Sequence, residues 1–307
     1  MLDMHRLRLL RELKHRGTLA AVAQALSYSP SAVSQQLSLL ESEAGVRLLD
    51  HVGRRVRLTA QAEILVGHTE ALLERLEQAG ADLALSLTDI AGTLRVASFQ
   101  TPALALIPSA LSRLAELHPA LRVEITEMEP ESSLPALVAR DFDLVLGEEY
   151  PGHPKLRRPE LEQEDLILDP MRLARMRPPS DTHHHLDISD LADEPWVMEP
   201  AGTSARLWAT ALCRDAGFEP DVRFVTGDVL LHVRLVETGH AVALLPDLVW
   251  LGGPPPTDLH PLPGNPTRRL FTAVRRGAGR QPAVRALRDS LRRGITDPLV
   301  PGRAPSR

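Results

Sequence analysis

Residues 18–45 read TLAAVAQALSYSPSAVSQQLSLLESEAG, and this stretch decides the fold of the N-terminal part of the chain. Thr18 is a good N-cap, and the small residues Ala20, Ala21, Ala23 and Ala25 make Leu19 to Leu26 a short helix able to pack closely. Ser27-Tyr28-Ser29 is a polar break. Ser29 then caps a second helix with Pro30 in its first turn, where a missing N–H costs nothing. Val33, Leu37 and Leu40 form its buried stripe, and Gly45 ends it. Two short helices joined by a tight turn form a helix-turn-helix, whose second helix is normally the one set in the major groove of DNA. Its exposed N-terminal face offers Ser31, Ser34, Gln35 and Gln36, whose hydroxyls and amides reach base edges and phosphates, and the helix N-terminus itself attracts phosphate.

Working outward, Met4, Leu7, Leu10 and Leu13 recur at helical spacing, so Asp3 to about Arg16 is an amphipathic helix ended by Gly17. Downstream, Arg47 to Leu49 and Val56 to Leu58 read as two strands around Val52-Gly53-Arg54-Arg55. That is a hairpin with an arginine-rich tip, the wing of a winged helix, in which Arg54 and Arg55 would meet phosphate or enter the minor groove. Charge supports this. The formal net charge is −5, yet residues 1 to 60 hold nine Lys/Arg against five acids, leaving 26 basic against 35 acidic groups in the rest. A basic head on an acidic body is the asymmetry expected when one end meets nucleic acid.

From Ala60 to about Leu87 there is no proline, and Leu65, Thr69, Leu72, Leu76, Ala79 and Leu83 alternate in steps of four and three. This predicts a linker helix roughly 42 Å long, carrying a short heptad seam. Thr88 to Gly92 is a plausible hinge. Beyond it, strands (Thr93–Ala97, Leu121–Thr126, Leu144–Gly147) alternate with helices (Ala103–Leu117, Ser133–Ala139). A second set follows, with strands at Leu166–Leu168, Trp196–Met198, Arg223–Val225 and Ala241–Leu244 and helices at Ser204–Ala216 and Val229–Thr238. A strand at Leu270–Val274 and a helix at Ala283–Arg293 close the chain. Such alternation predicts a parallel α/β sheet with ligands at the carboxyl ends of strands. The proline-rich stretch Gly252 to Pro266 reads as a surface connection, and Asp297 to Arg307 as a frayed tail.

The stretches Leu19 to Leu26, Ser29 to Leu37, Leu40-Glu41, Gly45-Val46, Leu48 and Gly53-Arg-Arg-Val-Arg-Leu-Thr59 together resemble the LysR-type transcriptional regulators. Gly92-Thr-Leu-Arg-Val96 and Gly239-His-Ala-Val-Ala-Leu-Leu-Pro246 match further recurring segments of that family, so the resemblance covers nearly the whole chain. Departures exist. Leu49-Asp50-His51 stands where the family usually has Phe-x-Arg, Gln61-Ala62 where it has Ala-Gly, and Gln35 where an arginine is frequent. Arginine pairs best with guanine and glutamine with adenine, so the half-site read here should differ from a typical one.

The resemblance implies an α+β multidomain protein. A winged helix-turn-helix spans 1–59, a dimerising linker helix 60–89, and a two-lobed α/β effector domain of the type 2 periplasmic-binding-protein fold 90–296. In that domain lobe I covers about 90–160 and 267–296, and lobe II about 161–266, with crossovers near Tyr150 to Glu160 and Gly264 to Thr267. It implies a cytoplasmic regulator and no enzyme. Its partners would be an imperfect palindrome in double-stranded DNA, further copies of itself as dimer or tetramer, a small-molecule effector, and, as one option, RNA polymerase. The effector cleft would be lined by segments just beyond strand ends. Ser98, Gln100 and Thr101 on one side and Gly202, Thr203 and Ser204 on the other offer hydroxyls and N–H groups suited to a carboxylate. Glu129 and Asp228, in corresponding places, would instead favour an amine or hydroxyl.

Other features exclude rival classes. No apolar run reaches the roughly 18 residues of a membrane span. The single cysteine, Cys213, rules out an internal disulfide and a cysteine-clustered zinc site. His183-His184-His185 lies in a polar loop without paired ligands and reads as solvated rather than metal-binding. There is no glycine-rich phosphate loop, nucleophile elbow or HExxH, so no cofactor is expected. Two rivals stay open: a helix-turn-helix joined to an enzyme or to a ligand-free periplasmic-type domain, and an architectural DNA protein without an effector.

Overall fold

The computed structural model describes residues 1–26, 28–52, 55–87, 89–153, 158–177 and 186–296, with the side chains of residues 51, 52 and 55 outside the description. The wing-tip pair Gly53-Arg54, the Arg55 side chain, Thr88, the triplet His183-His184-His185 and the tail 297–307 therefore lie outside the described residues.

The head is built on local signals in the sequence. α1 (Met4–Arg16) starts where the Asp3 carboxylate accepts from the Arg6 N–H at 3.1 Å, and it stops at Gly17, whose φ of 78° is left-handed. α2 (Leu19–Leu26) and α3 (Pro30–Ala44) follow, the latter capped by Ser29 and ended by Gly45 at φ 68°. Leu10, Leu13, Val22, Val33, Leu37 and Leu40 close a buried core between them. β1 (Leu49–Val52) and β2 (Arg55–Leu58) form the antiparallel wing hairpin. The first strand begins two residues later than the sequence suggests. The Leu48 N–H donates to the Glu41 carboxylate at 2.7 Å, which pins the hairpin to α3 instead of to a strand partner.

α4 (Ala60–Leu85) is capped by Thr59. Ala62, Val66, Thr69, Leu73, Glu77 and Ala81 face its own chain, whereas Leu72, Leu76 and Leu83 stand exposed on the other side. Thr69, expected in the outward seam, turns inward, and its hydroxyl donates to the Leu65 carbonyl at 2.7 Å.

The body follows as β3 (Gly92–Ser98), α5 (Gln100–Ala105), α6 (Ile107–Leu117), β4 (Leu121–Glu127), α7 (Pro130–Val138), β5 (Leu144–Glu149) and β6 (Leu161–Arg175). Then come β7 (Pro195–Met198), α8 (Ser204–Asp215), β8 (Asp221–Val225), α9 (Val229–Glu237), β9 (Ala243–Pro246), β10 (Asp258–Pro261), β11 (Thr267–Arg275) and α10 (Pro282–Thr296). The single helix expected over Ala103–Leu117 is broken into α5 and α6 at Leu106, next to Pro108, which has no N–H for the ladder. The stretch expected to be plain surface connection, Gly252 to Pro266, contains β10.

The large sheet of the body is mixed rather than parallel, whereas β7 and β8 pair in parallel as expected. β3 pairs in parallel with β4 and β5, but β11 runs antiparallel to both β5 and β6. β6 corrects the expectation most. In place of a three-residue strand it has fifteen residues; Leu161–Pro170 pair with β11, while Met171–Arg175 pair with β9 on one side and β10 on the other. One continuous strand thus belongs to both lobes. The passage between them lies inside β6 near Asp169-Pro170 rather than at Tyr150 to Glu160, and the return runs through Pro266, whose carbonyl accepts from the Met171 N–H at 2.9 Å. Lobe I buries Val96, Leu106, Leu144, Leu270 and Leu287; lobe II is centred on Trp196 and Trp208.

Candidate DNA-reading face and interlobe cleft

The expected reading residues share the start of α3, but they do not play equal parts. Ser29 is spent on the cap, its hydroxyl accepting from the Ala32 N–H at 3.1 Å, and Thr18 does the same for the Ala21 N–H. Pro30, Ser31 and Gln35 are exposed and Ser34 is half-buried. Gln36 turns the other way, where its amide oxygen accepts from Arg6 Nε at 3.0 Å. The outward-facing surface is therefore Ser31, Ser34 and Gln35, and Gln36 braces α3 against α1.

The two lobes meet along two polar contacts. Gln100, just after β3, donates through its side-chain amide to the Asp228 carboxylate at 2.9 Å and accepts from the Val229 N–H at the start of α9. Glu131, in the first turn of α7, accepts from both the Ser204 hydroxyl (2.8 Å) and the Ser204 N–H (3.2 Å) at the start of α8. The N-terminal end of α8, expected to hold an incoming anion, is thus already complemented by the protein's own carboxylate.

Between these contacts lie two recesses of about 50 and 30 Å³ that share Thr101, Tyr150, Glu199, Ala205, Val229 and Arg268. Of the expected cleft residues, Gln100, Thr101, Glu129 and Thr203 line the smaller recess. Gly202 and Ser204 line an open groove outside it, and Asp228 caps α9. Ser98 is wholly buried, with its hydroxyl donating to the Phe99 carbonyl at 3.0 Å, and does not reach the cleft. Thr203 is half-committed, since its hydroxyl accepts from the Arg206 N–H and donates to the Pro200 carbonyl.

Sequence reasoning missed the centre of the cleft. Arg268, almost fully buried on β11, donates from Nε and Nη2 to Asp169 at 2.9 and 2.8 Å and from Nη1 to Glu148 at 2.8 Å. The Tyr150 hydroxyl donates to the same Glu148 oxygen at 3.2 Å, and the Tyr150 ring stacks on Trp208 of the opposite lobe with centroids 5.3 Å apart. Glu199, just past β7, has its pKa pushed up to about 8, first by burial and then by the neighbouring charges of Glu129 and Glu148. Burial lowers the pKa of His232, whose Nε2 donates to the Thr226 carbonyl at 2.8 Å. A rule applied to other strands, looking one or two residues past an apolar run, would have found Glu148 and Glu199.

One further element touches both regions. α7 begins at the cleft with Glu129 and Glu131, and its far end meets the head. Arg11 Nη2 donates to the Val138 carbonyl at 2.5 Å, and Arg16 Nη2 reaches the Asp141 carboxylate at 2.9 Å. Arg140, next along, pairs with Glu77 of α4 at 2.7 Å, and Arg275 joins the same glutamate at 2.8 Å. A hollow of about 230 Å³ lies at this junction of head, linker and body, bounded by Arg11, Glu77, Arg140 and Arg275. Among the described residues no group of three or more His, Cys, Asp or Glu is placed to hold a metal ion, and no helix is long and apolar enough to cross a membrane.

Comparison with known proteins agrees with this geometry. The family model for the bacterial regulatory helix-turn-helix protein, lysR family, matches residues 4–63, and that for the LysR substrate binding domain matches residues 88–296. The HTH-type transcriptional regulator ClcR of Pseudomonas putida is 26% identical over 250 residues, covering 81% of this chain and 84% of its own length. A full-length OxyR variant from Pseudomonas aeruginosa superposes with a TM-score of 0.64 at 20% identity, covering 95% of this chain and 98% of that one. Full-length CbnR complexed with its target DNA superposes with a TM-score of 0.52 at 23% identity, covering 95% and 99%. At such identities the superpositions speak for the fold. The chain belongs to the LysR family of bacterial helix-turn-helix proteins: it is a DNA-binding transcriptional regulator with an effector-binding substrate domain, not an enzyme.

Proposed function

We propose that Ser31, Ser34 and Gln35, flanked by wing arginines Arg54 and Arg55, read the operator, and that the recess around Tyr150, Glu199 and Arg268 receives the effector. The chain divides for this purpose into a reading head (1–59), a linker helix (60–89) and a two-lobed body (90–296). Leu72, Leu76 and Leu83 form the exposed seam through which a second copy pairs, so that two heads meet an imperfect palindrome in the cytoplasm where the chromosome lies. RNA polymerase would be the further partner wherever the outcome is activation.

The observation that carries effector control is α7. Its first turn bonds lobe II through Glu131 and Ser204, its last residue Val138 accepts from Arg11 of the head, and Asp141 just beyond it pairs with Arg16. A change in lobe closure moves α7, and α7 is hydrogen-bonded to the element that orients the reading helix. Hydrogen exchange on Glu131→Gln tests this. Loosening the Ser204 contact should raise exchange at α8 and also at amides of residues 11–17, far along the chain. A change confined to the cleft refutes transmission through α7.

A further inference from the structure

The reading helix is held by the first turn of its neighbour. α1 opens at Asp3, whose carboxylate accepts from the Arg6 N–H, and the same turn reaches α3 at three levels. The His5 ring stands edge-on to Tyr28, the residue before the Ser29 cap, with centroids 5.7 Å apart. Arg6 donates from Nε to the Gln36 amide oxygen at 3.0 Å and pairs through Nη1 with Glu43. The Asp3 N–H donates to the other oxygen of Glu43 at 3.2 Å. Gln36 and Glu43 lie two turns apart on one face of α3, so a single guanidinium fixes both the rotation of that helix and its position along its axis. The apolar stripe of Val33, Leu37 and Leu40 buries α3 but is non-directional, and it tolerates small rotations better than hydrogen bonds do.

We propose that Arg6 is a positioning residue for operator reading: it touches no base, and by holding Gln36 it sets the angle at which Ser31, Ser34 and Gln35 enter the groove. This rests on the reading of the operator by α3, and it assigns Gln36 to the clamp instead of to the DNA. Successive residues project about 100° apart around a helix, so fixing Gln36 fixes the direction of Gln35. Side-chain tips stand about 5–6 Å from the axis, so a rotation of about 20° carries the Gln35 amide about 2 Å along its base edge. An N–H···O bond is confined to about 2.7–3.2 Å, so such a swing breaks a paired contact to a base. Loosening the clamp therefore costs discrimination between sequences, while the affinity that comes from phosphate is kept.

Other roles for these two side chains leave different signatures. If Arg6 itself met phosphate, removing it would weaken binding to every duplex and reduce the salt slope by about one. If Gln36 met the DNA, a carboxylate in its place would be repelled. In the clamp a carboxylate is instead a stronger acceptor for the Arg6 guanidinium. The ion pair is also no pillar of the fold, since its side chains are 22% and 23% exposed.

The test measures the affinity of the full chain for duplex DNA from the region upstream of its own coding sequence and for random duplex, across a salt series. Wild type is compared with Arg6→Met, Gln36→Ala and Gln36→Glu, and the melting temperature of each is recorded. Arg6→Met should cut the preference for the upstream duplex by about tenfold or more, with the affinity for random duplex within about threefold and the salt slope kept. Gln36→Ala should do the same. Gln36→Glu should keep the preference within about threefold, and should lose it when combined with Arg6→Met, a coupling that independent contacts would not give. Melting temperatures within about 2 °C of wild type separate this from a general loss of fold. If Arg6→Met melts outright, the contrast between Gln36→Glu and Gln36→Ala decides alone. A preference kept in both Arg6→Met and Gln36→Ala, while Gln35→Ala loses it, overturns the clamp and leaves reading by α3 in place. So does a preference lost as fully in Gln36→Glu as in Gln36→Ala, or a salt slope reduced in Arg6→Met. No preference in the wild type removes reading by α3 and the clamp with it.

Discussion

Replacing Arg268 by methionine removes the charge at the centre of the body and keeps most of the side chain's apolar volume. Arg268 and its partners are nearly sealed from water, with side chains 4% (Arg268), 7% (Glu148) and 2% (Asp169) exposed. The substitution deletes three charge-assisted hydrogen bonds and takes the guanidinium away from two buried carboxylates, of which Glu148 keeps the Tyr150 hydroxyl and Asp169 the Leu248 N–H. Breaking a buried pair from one side costs about 3–5 kcal/mol, most of it the uncompensated charge left behind. For a body of this size, about 2–4 °C is lost per kcal/mol, so its melting transition should fall by roughly 6–20 °C. The pH dependence identifies the cause. Asp169 already has a raised pKa because of burial, so its folded form loses stability as pH climbs through the window above its ordinary value of 3.8. Without Arg268 that window extends upward, and the deficit should shrink on going from pH 8 to pH 5 as these carboxyls take up protons. Calorimetry of the variant at both pH values decides. A shift under about 2 °C, or a deficit that does not change with pH, would refute this account of Arg268.

Other expectations follow from single contacts. Glu199→Gln should stabilise the ligand-free protein by on the order of 1 kcal/mol at pH 8 and not at all near pH 4.5, because burial raises this carboxyl's pKa and the cost appears only as pH rises toward about 8; equal melting temperatures at pH 8 would contradict it. Gly147→Ala on β5 would place a methyl carbon 2.5 Å from the Phe271 ring, and should cost about 1–3 kcal/mol in denaturant melts through overpacking against β11. Leu76→Glu, at a position 57% exposed, should leave the melting temperature within about 2 °C in dilute protein while shifting sedimentation toward the monomer; unchanged assembly would remove Leu76 from the seam.

The parts legible in the sequence were those fixed by neighbours in the chain. Ser29-Pro30 and Gly45 set both ends of α3 through local hydrogen bonds and backbone conformation, and apolar spacing set its buried stripe. β6 was not legible, because Glu162, Gln163, Glu164 and Asp165 carry no strand-like alternation, and Pro170 looks like a stop. Their charges are answered from afar, Asp165 by Arg269 on β11 and Glu164 by Arg288 and Arg292 on α10. The cleft was half legible for the same reason. Gln100 and Thr101 could be placed from strand ends, but Glu148, Asp169, Glu199 and Arg268 come together only through sheet pairing across gaps of up to 120 residues. The contact of Arg11 with the end of α7 and of Arg16 with Asp141 just beyond it likewise has no local trace in either segment.

The most direct measurement of the central claim is a fluorescence-anisotropy titration of the full chain against duplex DNA from the region upstream of its own coding sequence, competed with random duplex across a salt series. The account predicts at least a hundredfold preference for the upstream site, falling affinity for both duplexes as salt rises, and loss of the preference in Gln35→Ala with the salt slope retained. Equal affinity for the two duplexes, or a preference that survives substitution of Ser31, Ser34 and Gln35 together, would contradict it.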